Sequence, residues 1–170
     1  MGKIKALEGV EPVTMIDTPA RLDYTFTAGR ATSRFLKGLE QKKLLGERSA
    51  ATGKVYLPPR GADPVAGVPT EEQVEVADYG VVTSFCVVNV KFYGQAMECP
   101  YVCALVVLDG ADIATFGLIQ EIPYEEVRPG LRVEAVWVDD SELGTTLENI
   151  KYFRPTGEPD APAESYKEHV

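Results

Sequence analysis

Residues 102–108 are Val102, Cys103, Ala104, Leu105, Val106, Val107 and Leu108, seven apolar residues without a break. An antiparallel strand with one wet face alternates apolar and polar side chains, so an unbroken run demands cover on both faces. The run is far shorter than the roughly 20 residues of a membrane-spanning helix. It therefore reads as a strand with a core on one side. On the other side lies the N-terminal helix, the hairpin that precedes the barrel, or another protein. Four similar segments accompany it, at residues 81–90, 113–118, 131–138 and 147–153, rich in Val and aromatic residues. Turn signals separate them, Asp109-Gly110-Ala111-Asp112 among them. Five short antiparallel strands in about 75 residues suit a small closed or partly open barrel. The stretch from Pro123 to Gly130 leaves room for one helical turn between the third and fourth strands.

Upstream, residues 73–77 alternate as a half-buried strand should, and residues 29–41 carry helical periodicity. Phe35, Leu36 and Leu39 form the apolar stripe of that helix; Arg30, Arg34 and Lys37 recur on another side. Gly38 costs the helix about 1 kcal/mol relative to Ala, which marks a close contact there. Residues 42–48 read as an extended lead into the next unit. In that unit Gly53-Lys54-Val55-Tyr56 runs into Pro58-Pro59-Arg60-Gly61 as a short hairpin, flanked by two pairs spaced i to i+3. The pairs are Ser49 with Thr52 and Asp63 with Ala66. That is the spacing of a two-knuckle metal site, which needs four soft ligands around a tetrahedral ion. This chain offers two hydroxyls, a carboxylate and a methyl, so zinc is not expected. The three cysteines, Cys86, Cys99 and Cys103, make no even disulfide framework. Cys99 and Cys103 would stand about 13 Å apart in an extended segment, too far to share an ion. Buried small hydrophobes is the expectation for them.

The Gly-Lys-Val-Tyr and Pro-Pro-Arg-Gly frame, with Gly67-Val68-Pro69-Thr70 after it and Arg34-Phe35-Leu36-Lys37-Gly38-Leu39 before it, resembles a known family. The likeness is to the zinc-ribbon/OB-fold proteins that accompany thiolase-like and acyl-CoA enzymes, and it spans residues 20–154. It implies a mainly β chain: an N-terminal helical arm, a degenerate rubredoxin-like ribbon without its ligands, and a C-terminal five-stranded OB-fold barrel. The units expected are 1–42 for the arm and helix, 43–72 for the ribbon hairpin and 73–154 for the OB-fold. Residues 155–170 would be a disordered or partner-clamping tail, being rich in Pro and acidic residues. Ser49, Thr52, Asp63 and Ala66 stand where the family's four cysteines would be.

Charge divides the chain. Residues 1–60 hold 11 Lys/Arg against 6 Asp/Glu, a balance of +5; residues 61–170 hold 6 against 20, or −14. An acidic barrel argues against the single-stranded nucleic-acid use of an OB-fold, which needs a positive groove. The basic front interleaves cations with Phe35 and Tyr56, and guanidinium forks suit phosphate oxygens. Arg34, Lys37, Lys54 and Arg60 are the candidate contacts for the phosphates of coenzyme A at a shared interface; a solvated helix face with ion pairs to the barrel is the simpler alternative. No nucleophile elbow, Walker loop or paired-acid frame is present, and the single histidine, His169, lies in the tail. The resemblance implies a non-catalytic, cytoplasmic accessory subunit, in a hetro-oligomer with a thiolase, sterol-carrier-type thiolase or aldolase, or another lipid-transfer-type protein. Such a partner would act on acyl-CoA thioesters, with steroid or aromatic acyl-CoA breakdown the preferred context. It implies no cofactor bound by this chain alone. Two alternatives stay open: a free-standing acyl-CoA binding protein, and an OB module for single-stranded nucleic acid.

Overall fold

A computed structural model describes residues 9–11, 15, 16, 18 and 20–169. The helix α1 (Gly29–Leu39) buries Ala31, Phe35, Gly38 and Leu39, so its apolar stripe faces inward as the spacing predicts. Gly38 is the close contact: a Cβ there would stand 2.9 Å from the carbonyl oxygen of Lys43 and 3.0 Å from Leu45. The chain reverses there and enters β1 (Leu44–Arg48), which pairs antiparallel with β2 (Val55–Tyr56) and β3 (Glu72–Val76). These make a three-stranded sheet in the order β2-β1-β3.

The barrel follows: β4 (Tyr79–Val88), β5 (Tyr101–Leu108), β6 (Thr115–Ile119), β7 (Arg132–Trp137) and β8 (Ile150–Pro155). Its order is β4-β5-β6-β8-β7, closed by β4 against β7. Counted within the barrel this is 1-2-3-5-4, the order of an OB-fold. A single 3₁₀ turn, Tyr124–Glu126, occupies the segment expected to hold one turn. Val82, Val102, Ala104, Val106, Val133 and Phe153 fill the interior; they are continuous with Phe35, Leu39, Leu44, Val55 and Leu57 outside it. One core therefore joins helix, small sheet and barrel. Asp112 pins the joint, accepting from the Val55 amide at 2.7 Å while its own amide donates to the Val55 carbonyl at 2.9 Å.

The second face of residues 102–108 is only partly covered. Val102, Ala104, Val106 and Leu108 point inward, and Val107 is buried, but Leu105 is 38% exposed beside its strand partner Phe116 at 69%. The cysteines depart from expectation for the same reason. Cys86 is exposed, directly across the sheet from the half-buried Cys103, because both sit on this open outer face. The tail also departs. Residues 155–169 lie on the barrel: Asp160 takes both prongs of Arg128 at 2.6 and 2.8 Å, and the Ala161 amide donates to the Gly130 carbonyl at 2.8 Å. Glu158 meets Arg132 at 3.4 Å. Composition rules weigh apolar burial, and here acidic side chains meet two of the few cations of the barrel instead. Among the described residues no helix is long and apolar enough to cross a membrane.

Candidate functional site

Two turns of the small sheet are built alike. In the first, the Ser49 amide donates to the Lys54 carbonyl at 2.9 Å and the Gly53 amide to the Ser49 carbonyl at 2.8 Å. In the second, the Asp63 amide donates to the Val68 carbonyl at 2.8 Å and the Gly67 amide to the Asp63 carbonyl at 2.9 Å. Both fifth positions are glycine at positive φ, 75° and 66°, the left-handed conformation that closes such a turn without Cβ strain. In both, the first side chain caps its own loop. Ser49 Oγ accepts from the amides of Ala51 and Thr52, each at 3.2 Å. Asp63 Oδ1 accepts from Val65 at 2.8 Å and Ala66 at 3.1 Å.

The turns face each other, and Asp63 spans the gap. Its Oδ2 accepts from Ser49 Oγ at 2.5 Å and Thr52 Oγ1 at 2.7 Å, so the carboxylate has four donors while Asp63 is 1% exposed. The Ser49 hydroxyl most of all, then Thr52 and the Ala66 amide, holds its carboxyl far below the usual range, against the opposing effect of burial. These residues do not fit zinc. One position has no donor atom, none has a thiolate, and the oxygens that remain are already committed to one another. The centre is a hydrogen-bonded carboxylate rather than a coordination shell.

The four candidate phosphate contacts are not brought to one point. Arg34 lines a polar recess of about 550 Å³ with Arg30, Glu47, Gly61 and Thr70. Arg60, next to Gly61 at that recess, stands over the Tyr56 ring at 6.0 Å from its centroid. Burial, and secondarily the Asp63 carboxylate, pushes the Tyr56 phenol up. Lys37 is exposed one helical turn beyond Arg34. Lys54 lies apart, at a different recess formed by Asp112, Ile113 and the tail residues Glu168 and His169. Glu47 is the residue that sequence reasoning missed. It is 2% exposed, accepts from Thr70 Oγ1 at 2.8 Å, and stands 3.9 Å from the Arg34 guanidinium. Its one sequence signal is a carboxylate between Gly46 and Arg48 in an otherwise apolar strand start, with a threonine after the hairpin to satisfy it.

The remaining feature is the open outer face of the barrel. Cys86, Cys103, Leu105 and Phe116 lie on adjacent strands there, and the loop joining β4 to β5 exposes Val90, Phe92 and Tyr93. Gln95 Nε2 reaches the Cys99 sulfur at 3.5 Å within that loop. Burial raises the Cys103 thiol, with Cys86 beside it adding to the shift.

Residues 73–138 match the family described as the C-terminal OB-fold domain of ChsH2. A DUF35 domain-containing scaffold protein of Methanocaldococcus jannaschii is 35% identical over 121 residues, 68% of this chain and 84% of that protein. The chain belongs to the DUF35 family. Among solved structures, this DUF35 chain is similar to one described as the Ltp2-ChsH2(DUF35) aldolase, at 26% identity and a TM-score of 0.56, over 75% of this chain and 95% of that one. A Sulfolobus solfataricus DUF35 protein of unknown function shares the fold, at 19% identity and a TM-score of 0.54, over 75% of this chain and 84% of that one. Among the described residues of this DUF35 chain, then, the turns around Asp63, the recess of Arg34 and the outer barrel face each gather side chains into a candidate site.

Proposed function

We propose that this protein is a non-catalytic accessory subunit of a thiolase-like enzyme, a thiolase or aldolase, that acts on acyl-CoA thioesters. The observation that carries the reading is the likeness to the DUF35 chain of the Ltp2-ChsH2 aldolase, which this chain matches over 95% of its length. The open apolar face of β4, β5 and β6 supports it, since a contiguous exposed apolar patch marks an interaction surface. The scaffold description of the Methanocaldococcus relative points the same way. In this reading the two turns around Asp63 are the knuckles of a zinc ribbon whose metal was replaced by a carboxylate. The partner supplies the chemistry, and this chain holds the assembly together and shapes its substrate entrance. Arg34, in its recess with Glu47, and Arg60, next in sequence to Gly61 of that recess, are the first choices for CoA phosphates at the joint interface, with Lys37 one helical turn from Arg34. Lys54 would serve a separate contact.

The test is capture of tagged protein from the native cell extract, with mass spectrometry and an acyl-CoA lyase or thiolase assay on the eluate. A thiolase-like protein in near-equal amount, with activity that falls when this chain is stripped away, is the expected result. Recovery of the chain alone, or with nucleic acid, overturns the reading.

A further inference from the structure

Cys86 and Cys103 are direct register partners across β4 and β5, on the outer face of the barrel. Their flanking pairs, Phe85 with Ala104 and Val87 with Val102, hold the two strands in line on either side. Opposed residues of an antiparallel pair keep their Cα atoms about 4.5 or 5.5 Å apart, with both side chains on one face. A disulfide spans about 4.4–6.8 Å between Cα atoms, so either spacing suits one without backbone movement. The two thiols are already neighbours: burial raises the Cys103 thiol most, and the Cys86 thiol beside it raises it further. Cys86 is exposed and Cys103 half-buried, so a reagent from solvent meets Cys86 first. Cys99 stands apart in the loop ahead of β5, where the Gln95 side-chain amide donates to its sulfur at 3.5 Å. Neither the turns around Asp63 nor the recess of Arg34 uses any of these thiols.

We infer that Cys86 and Cys103 form a site of reversible thiol oxidation, closed to a cross-strand disulfide by a low-molecular-weight disulfide. In the first step the Cys86 thiolate attacks one sulfur of the small disulfide. A mixed disulfide forms on Cys86, the small disulfide's own S–S bond breaks, and one small thiolate leaves and takes up a proton. Cys103 then gives its proton to solvent and attacks the Cys86 sulfur. The Cys86–Cys103 bond forms, the mixed bond breaks, and the second small thiol leaves. Two protein thiols are oxidised and one small disulfide is reduced to two thiols. The order follows from the surroundings: the exposed Cys86 leads, and Cys103, whose proton is held more tightly, follows. Exposed disulfides are the labile, regulatory kind rather than the structural kind, so this one opens again under a reducing poise. Closed, it clamps the neck of the loop that exposes Val90, Phe92 and Tyr93. The site stands independently of the accessory-subunit reading.

The test is incubation of the purified full-length chain with excess oxidised glutathione at mildly alkaline pH, then alkylation, a free-thiol count and tryptic mapping without reduction. Lys91 separates Cys86 from the other two cysteines, so trypsin releases the link as two joined peptides. The parent should fall from three free thiols to one, with Cys86 joined to Cys103 and the alkyl mark on Cys99. Dithiothreitol should restore all three. Cys99→Ser should form the same link and keep no free thiol. Cys103→Ser should stop at a glutathione adduct on Cys86, with no link, because the second attacking thiol is gone. The parent map needs no variant, so it decides the matter even where a variant folds poorly. A parent that keeps three free thiols, carries a stable adduct on Cys86 without a link, joins Cys86 to Cys99, or links only between two chains would overturn the inference.

Discussion

The Asp63 carboxylate caps its own turn and links it to the other, accepting from the hydroxyls of Ser49 and Thr52. With its four donors in place it must stay ionised, because a proton on either oxygen would displace one of them. Asp63→Asn keeps the size but turns one acceptor into a donor facing either the hydroxyls or the amides, so a thermal melt at pH 7 should show Tm several degrees lower. The sign of the pH dependence follows from the lowered pKa. A depressed folded-state pKa gives stability that is fully present above the unfolded value of about 3.9 and is lost as pH falls further. The gap in Tm between parent and variant should be constant from pH 7 to about pH 5 and shrink below about pH 4. A gap that stays constant through acid would mean the carboxylate charge is irrelevant. The same geometry makes a second prediction. The quadruple variant Ser49→Cys, Thr52→Cys, Asp63→Cys, Ala66→Cys places four thiols at the two matched turns. It should bind one zinc per chain, read by metal analysis after dialysis, with restored stability that a chelator removes. Failure to retain zinc would show that the turns are not spaced as metal knuckles.

At the scale of elements, the barrel seam is a tight constraint. Gly117→Ala puts a methyl into the space of the Phe153 ring, two residues before the Ile119–Phe153 register pair of β6 and β8. Overpacking of this kind costs about 1–3 kcal/mol, which for a chain of this size lowers Tm by roughly 2–4 °C per kcal/mol. A melt unchanged within error would mean that Phe153 has room to move. The strands were legible because their signal is local. The run from Tyr101 to Leu108 and the Asp109-Gly110 turn mark β5 and its end, and the Phe35/Leu39 stripe marks α1. What was not legible depends on partners distant in sequence. Glu47 is buried because Thr70 and Arg34 come to it, from 23 residues downstream and from the preceding helix. The tail packs because Asp160 finds Arg128, 32 residues away, a pairing that composition alone cannot express. Ser49, Thr52, Asp63 and Ala66 were picked out by spacing, and the two hydroxyls with the Ala66 amide do converge on one carboxylate. What their spacing could not reveal was that Asp63 takes the centre. Of the four basic candidates, Arg34 shares a recess with Gly61 because α1 packs against the hairpin, while Lys54 is carried by its turn to the barrel joint.

For the whole molecule, the two ends offer a partner different kinds of contact. The front is cationic, and the barrel is acidic but opens an apolar strip across β4, β5 and β6. The two surfaces predict opposite responses to salt. An interface on the cationic front weakens as screening shortens to about 3 Å at 1 M salt, while one on Leu105, Phe116 and the Tyr93 loop persists, since apolar burial is not screened. Leu105→Glu places a charge in the middle of the strip at a residue whose neighbours are already partly open, so the melt should move little, within about 0.5 kcal/mol. Burying that charge against a partner has no compensation, so capture of the partner should fall at least tenfold. Capture that survives 1 M salt and is lost in Leu105→Glu assigns the interface to the barrel face. Capture that survives Leu105→Glu and is lost in salt assigns it to Arg34 and its neighbours, and the apolar strip would then need another occupant.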